Sequence, residues 1–346
     1  MIRRMALKNT LRALCLGACL SGATPVFAQD FYAGRTITLS THTGPGGGYD
    51  TLLRLISRHL GRHIPGTPSI IVSNQPGAGG LTAFNYAARI APQDGTFLTL
   101  VGQGLLIFEP TGQAGLQASL GDMNWIGNSS QSPNVTAVWH TSPVKTIDDA
   151  KRVEATMGST GAGASDAQMP RVYNTLLGTR FKVVTGYTGG AQINLAMERG
   201  ELDGRGTNTW PSYNSTFADA VRDKKIVPLV QIGLKKDPDL PNVPLLTDLV
   251  AGDAQREPVA RFLSLTTAIS RPLAAPPRVP AERVALLRRA FDATMRDPEF
   301  LAEAARLQVD IDPMTGEEVA TAIRQILSTP ADVIARTQTA LGASGP

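Results

Sequence analysis

From Thr36 onward, short β-branched or aliphatic runs alternate with longer stretches in which apolar residues return at helical spacing. Runs of the first kind predict strands and those of the second predict helices with one apolar stripe, so their order predicts parallel sheets covered by helices. Strands are expected at Thr36–Thr41, Ser69–Ser73 and Thr96–Val101. Helices are expected at Asp50–Leu60, where Leu52, Leu53, Ile56 and Leu60 share one face, and at Leu81–Ile90. A second series then begins. It has strands at Val135–His140, Glu154–Gly158, Phe181–Tyr187, Glu201–Gly206 and Ile226–Ile232, with helices at Ile147–Val153, Asp166–Leu177, Ala191–Arg199 and near Ser212–Arg222. Beyond the Pro-rich linker Asp237–Pro244, an extended segment is expected at Phe262–Ile269, then helices at Ala281–Met295, Pro298–Leu307 and Gly316–Leu327. Three helices without a sheet make a poor domain, so they are expected to finish the first lobe. This gives lobe 1 as residues 29–136 with 264–346, lobe 2 as residues 137–263, and a chain that crosses between lobes twice.

Loops of small residues sit between strand and helix at Gly44–Gly48, Pro76–Gly80, Gly158–Ser165 and Thr188–Gly190. In open parallel sheets such loops lie at the carboxyl ends of strands, where ligands bind. Glycine lets main chain come close, and the first N–H groups of the following helix lack intrahelical partners, so each loop suits a carboxylate or phosphate. Tight turns capped by Asp50, and by Ser165 or Asp166, are the plainer reading of any single loop. Several loops divided between two lobes argue for a facing cleft. The candidate ligand contacts are Gly46, Gly47, Gly48, Tyr49 and Asp50, then Gln103 and Gly104, then Ser159, Thr160, Gly161, Ala162 and Ser165, and finally Gly189, Gly190 and Ala191. His42 ends the first strand beside a glycine loop, placed either to donate a hydrogen bond to ligand or to pack. Arg205, with Thr207 and Asn208 behind it, is the charge that stands out, because a guanidinium there is able to grip a carboxylate bidentately. Tyr49 and Trp210 are candidates for apolar walls or for core.

Composition removes other classes. Met1–Arg12 carries Arg3, Arg4, Lys8 and Arg12 without an acid, Ala13–Leu20 is apolar, and Val26-Phe27-Ala28 supplies a peptidase site, a pattern that predicts a cleavable export signal over residues 1–28 and a periplasmic protein. Two variants of that signal are a lipoprotein box ending at Cys19 and a twin-arginine start. Taking away 4 of 33 basic residues and none of 29 acidic ones leaves 29 against 29. A neutral remainder lacks the electrostatic footprint of a nucleic-acid binder. Cys15 and Cys19, the two cysteines, both fall in the signal, so no thiol chemistry or cysteine metal site is expected after cleavage. Gly44–Gly48 does not complete a dinucleotide fingerprint, and neither a phosphate-loop Gly-Lys-Ser/Thr nor a Gly-x-Ser-x-Gly elbow occurs. His59 and His63 stand four apart without the glutamate of a zinc-protease motif and read as a solvated helix end. No catalytic residue, metal site or cofactor is expected, and the working state is expected to be a monomer.

An ordered set of motifs carries a family resemblance. It comprises Pro45-Gly46-Gly47-Gly48-Tyr49-Asp50, Asn74-Gln75-Pro76-Gly77-Ala78-Gly79-Gly80, Ala91-Pro92-Gln93-Asp94-Gly95, Gly158-Ser159-Thr160-Gly161, Gly186-Tyr187-Thr188-Gly189-Gly190-Ala191, Gly200-Glu201-Leu202-Asp203, Leu240-Pro241-Asn242-Val243-Pro244, Ala275–Arg283 and Asp297-Pro298-Glu299-Phe300. With these the chain resembles the substrate-binding receptors of tripartite tricarboxylate transporters, the Bug family. The resemblance implies an α/β type II periplasmic-binding-protein fold, with two Rossmann-like lobes, a ligand cleft and a doubly crossed hinge. It also implies a small carboxylated ligand held by the first glycine loop, and delivery to the membrane permease subunits of such a transporter. The chain departs from the family pattern at Ser40-Thr41-His42-Thr43-Gly44, where a Val-Pro-Phe-type run is usual, and at Thr188, where a lysine is common. A receptor serving a signalling system, or an enzyme on a two-lobed fold, would share the same loops.

Overall fold

The computed structural model describes residues 31–342; the expected export signal and both cysteines lie outside the described residues. The first series runs β1 (Thr36–Thr41), α1 (Gly48–His59), β2 (Ser69–Asn74), α2 (Leu81–Arg89), β3 (Phe97–Leu100), α3 (Leu105–Phe108) and β4 (Asn124–Asn128). The chain then moves to a second sheet through β5 (Asn134–Trp139), α4 (Ile147–Arg152), β6 (Ala155–Ser159), α5 (Ser165–Leu177), β7 (Phe181–Thr185) and α6 (Gly190–Glu198). That series ends with β8 (Gly204–Thr209), α7 (Trp210–Thr216), α8 (Ala218–Arg222), β9 (Ile226–Ile232), α9 (Leu246–Leu249) and α10 (Glu257–Thr266). The return leg holds β10 (Pro272–Ala275), α11 (Ala281–Arg296), α12 (Pro298–Arg306), β11 (Met314–Thr315), α13 (Gly316–Leu327) and α14 (Ala331–Ala340).

Two sheets result, in the orders β11-β4-β10-β3-β1-β2 and β7-β6-β8-β5-β9. Both are mixed rather than purely parallel. β1, β2 and β3 run together, as do β6, β7 and β8, but β10 is antiparallel to β3 and β4, and β5 is antiparallel to β8 and β9. The reason is the route of the chain. β5 and β10 are entered directly from the other lobe at the cleft end, so they must run away from it, while strands followed by crossover helices run toward it. Pairing is in register from Thr36↔Ser69 to Thr41↔Asn74, so the ends of β1 and β2 stop together at the cleft.

Apolar clusters pack within each lobe, and a further one runs from the first lobe into the second, from Phe84 and Leu106 to Met157 and Val172. Ile37, Leu39, Leu52, Ile56, Phe291 and Phe300 pack with β1, α1, α11 and α12 in the first; Val135, Ile193, Met197 and Tyr213 pack in the second. A side chain buried in this way contributes roughly 1.5–3 kcal/mol relative to exposure. Gly127 in β4 makes room for Phe291, whose ring would lie 2.2 Å from any Cβ there.

Three further expectations are corrected. The extended segment at Phe262–Ile269 is the end of α10, because Val259, Phe262, Leu263 and Thr266 are buried at helical spacing behind Pro258 in the first turn. The strand expected at Glu201–Gly206 begins three residues later, since Gly200 in the left-handed region and Asp203, whose carboxylate accepts from Thr156 N–H, belong to the preceding turn. His59 and His63 are not a solvated end: His59 is buried, 2.6 Å from Glu303, and His63 lies 2.8 Å from Asp297, tying α1 to α12.

Strand-to-strand passage between the sheets occurs twice, at residues 129–133 and 267–271, and the two segments lie side by side. The Asn128 side chain donates to Ser130 O at 2.7 Å and accepts from Arg271 N–H at 2.8 Å, while Ser270 Oγ donates to Ser130 O at 2.6 Å. α14 then runs back to pack on α5 and α10, where Thr175 Oγ1 donates to Ala340 O at 3.0 Å.

Candidate functional site

The carboxyl ends of β1, β3, β6 and β8 and the starts of β5 and β10 converge on one small cavity of about 50 Å³ between the sheets. Nine of the expected contacts line it: His42, Tyr49, Gln103, Gly104, Thr160, Ser165, Arg205, Thr207 and Asn208. Thr43, Gly79, Gly102, Asn134, Ala164, Asp166, Thr209 and Arg271 complete the wall.

The expected glycines other than Gly104 lie where lobe meets lobe. Gly44 N–H donates to Thr188 O at 2.8 Å, and Gly163 N–H donates to Ala78 O at 3.3 Å. A Cβ on Gly47 would sit 3.4 Å from Gly190 N, and one on Gly46 would sit 3.5 Å from Ala191 Cβ. Gly48 abuts the Ser212 side chain, a Cβ on Gly189 would lie 3.1 Å from Gly44 N, and one on Gly161 would lie 2.7 Å from Gly79 N. Gly79 itself needs its left-handed φ of +68° and faces Ala164 across the gap. Glycine's close approach is thus used where the lobes meet, against main chain at Gly44, Gly47, Gly161 and Gly189 and against short side chains at Gly46 and Gly48. Of the remaining expected contacts, Asp50 accepts from Gly46 N–H, Arg54 Nε and Asn74 Nδ2, which fixes the first loop. Ser159 donates to Asp166 at 2.6 Å behind the wall, and Ala162 is an exposed turn residue.

Two guanidiniums reach the cavity. Arg205 in β8 lies against Gly190 at the start of α6, and its Nε is buried without a partner among the described residues. Arg271, in the second passage, is buried and lies 4.1 Å from the centre of the Tyr49 ring, a cation–π contact. Among the described residues its guanidinium donates only to neutral oxygens: Ser270 O at 2.9 Å, Ser212 Oγ at 3.1 Å and Thr209 Oγ1 at 3.4 Å. Ser270 belongs to the passage and Ser212 to α7, so this arginine spans both lobes. Asp166 is the one acid among the described lining residues. Burial pushes its carboxyl above the usual range, against the pull of Arg205 and of the hydrogen bonds from Ser159 and Thr160. Asn208 Nδ2 and Thr43 Oγ1 are further buried polar atoms left without partners among the described residues.

Little in the sequence marks Arg271, because Ser270-Arg271-Pro272 carries no motif and its position depends on the second passage. The only available signal was an arginine before a short apolar run following the second series. Trp210 is core, tilted against Tyr213 at 5.9 Å, whereas Tyr49 is wall. His42 Nδ1 sits 3.3 Å from Leu100 O, so the proton expected to be donated to ligand is given to main chain. Among the described residues, no helix is long and apolar enough to cross a membrane.

The family model for the tripartite tricarboxylate transporter family receptor matches residues 54–337. No curated protein matches the chain. Among solved structures, the periplasmic binding protein BugD has a TM-score of 0.72 at 18% identity, over 90% of this chain and 99% of that one. An R. palustris protein solved with adipate has 0.70 at 18%, over 89% and 97%. MatC from Rhodopseudomonas palustris, with bound malate, has 0.67 at 20%, over 87% and 99%. At such identities these likenesses establish the two-lobed periplasmic-binding fold.

Proposed function

The chain belongs to the tripartite tricarboxylate transporter receptor family, and from that premise we propose that it is a periplasmic solute-binding receptor that closes on a small carboxylated molecule and hands it to a membrane permease. The observation that carries the carboxylate is the pair of guanidiniums, Arg205 and Arg271, at one cavity whose described lining holds a single acid. A buried cation is costly unless paired, and among the described residues the Arg271 guanidinium donates only to neutral oxygens. An anionic ligand supplies the missing charge, and charge-assisted hydrogen bonds to guanidinium are the strong ones. The bound malate and adipate of the R. palustris structures are anions of this kind. A receptor needs a cavity that opens and shuts around its solute, and the glycine rim suits that movement.

Calorimetry and thermal shift of the purified protein against aliphatic and aromatic carboxylates test this reading. A ligand present at a hundred times its Kd should stabilise the fold by about 2.7 kcal/mol. Arg205→Ala should lower affinity for the best carboxylate about tenfold to a hundredfold, the loss of one charge-assisted hydrogen bond. Arg205→Lys should recover only part, because an ammonium lacks the planar fork. The neutral amide analogue should bind weakly and depend little on Arg205. Equal losses for acid and amide would remove the anion from the account.

A further inference from the structure

One atom in the cavity wall has the wrong polarity for a carboxylate. His42 Nδ1 faces Leu100 O at 3.3 Å, and a carbonyl oxygen only accepts, so Nδ1 carries the ring proton and Nε2 keeps a lone pair. The ring is held in place. Tyr49 meets it edge to face with centroids 4.3 Å apart, and Cβ atoms added at Gly80 and Gly102 would lie 3.4 and 3.2 Å from it. Burial lowers its pKa to about 4 against the pull of the Leu100 bond, and the charge of Arg271 lowers it further, so the lone pair persists at neutral pH. The bond to Leu100 is the one hydrogen bond of the His42 ring among the described residues, and yet the residue lines the cavity.

Arg205, Arg271 and Asn208 Nδ2 offer donors to the anionic group. A carboxylate oxygen set against Nε2 would oppose lone pair to lone pair. We infer that the solute carries a hydroxyl group beside its carboxylate, that His42 Nε2 accepts from that hydroxyl, and that His42 is the residue selecting hydroxylated acids over their deoxy counterparts. An ammonium would also donate, but two guanidiniums in the same wall repel it. The inference rests on the carboxylate reading above. His42 also falls in the stretch where this sequence leaves its family's pattern.

The test is calorimetry with pairs of acids that differ by one hydroxyl: lactate and propionate, 3-hydroxybutyrate and butyrate, malate and succinate, 2-hydroxyglutarate and glutarate. In the pairs that bind, the hydroxy acid should bind about tenfold more tightly, the effect of one neutral hydrogen bond. That ratio should fall to about one in His42→Phe, while His42→Gln, whose amide oxygen accepts, should keep part of it. Equal binding within pairs to the unaltered protein would overturn the hydroxyl and leave the carboxylate standing. An undiminished ratio in folded His42→Phe would overturn the role of His42. If no acid binds at all, the carboxylate reading fails and this inference falls with it. Should His42→Phe not fold, the ratio in the unaltered protein and in His42→Gln still decides.

Discussion

His42 and Arg271 show how single side chains acquire a role only through their surroundings. His42 has an ordinary pKa of 6.5 when unfolded and about 4 when folded, because burial disfavours its charged form. Between those values the unfolded chain holds a proton that the folded protein lacks. Stability is therefore complete above pH 6.5 and declines as pH falls toward 4, by about 3 kcal/mol from this group. In urea unfolding, His42→Gln should gain on the unaltered protein by that amount between pH 7 and pH 4; a constant difference would mean that the imidazole is not held neutral. Arg205 was legible in the sequence because it follows Asp203-Gly204 and precedes a run of small polar residues. Arg271 was not, because its neighbours Tyr49, Ser212 and Thr209 come from distant parts of the chain. For His42 the sequence gives position but not tautomer, which depends on Leu100, 58 residues away.

At the level of elements, the alternation of short apolar runs and amphipathic stretches located most strands and helices to within a few residues, since each carries its own periodicity. It failed at α10, where Phe262, Leu263 and Leu265 lie close enough together to pass for a strand. It also passed over β4, whose Asn124, Gly127 and Asn128 dilute the apolar signal, and over α14. Glycine loops are legible as loops at strand ends, but composition does not say whether a bare main chain faces a solute or another main chain. Gly104 separates these uses. Its φ of −58° and ψ of −26° are helical, so alanine there strains nothing locally, yet a Cβ would lie 2.2 Å from Gly163 O in the other lobe. Overpacking of that kind costs roughly 1–3 kcal/mol. Gly104→Ala should therefore leave the urea midpoint of the ligand-free protein nearly unchanged and weaken solute binding about tenfold or more by calorimetry. Unchanged affinity would show that the lobes do not meet there when solute is bound.

Across the whole molecule, α13 sits on β4 of the first sheet and α14 sits on α5 of the second, so residues 328–330 form a short tether between lobes in addition to the two hinge passages. Lengthening that tether should favour separated lobes. Because the entropy of a loop grows slowly, doubling its length is worth about 0.6 kcal/mol. Inserting three glycines after Ser328 should lower affinity about threefold and enlarge the ligand-free protein by small-angle scattering, with α14 still docked; no change in either would mean that the tether is slack. The two rim hydrogen bonds, Gly44 to Thr188 and Gly163 to Ala78, join peptide groups and do not involve whatever fills the cavity. At about 1 kcal/mol each, they enrich the shut shape roughly thirtyfold even when it is empty. An incoming solute then finds part of the reorganisation already done, which raises its apparent affinity. Empty shut copies would also present the same outline as loaded ones to any membrane partner, so the rim that sharpens capture also sets how often idle copies compete for that partner.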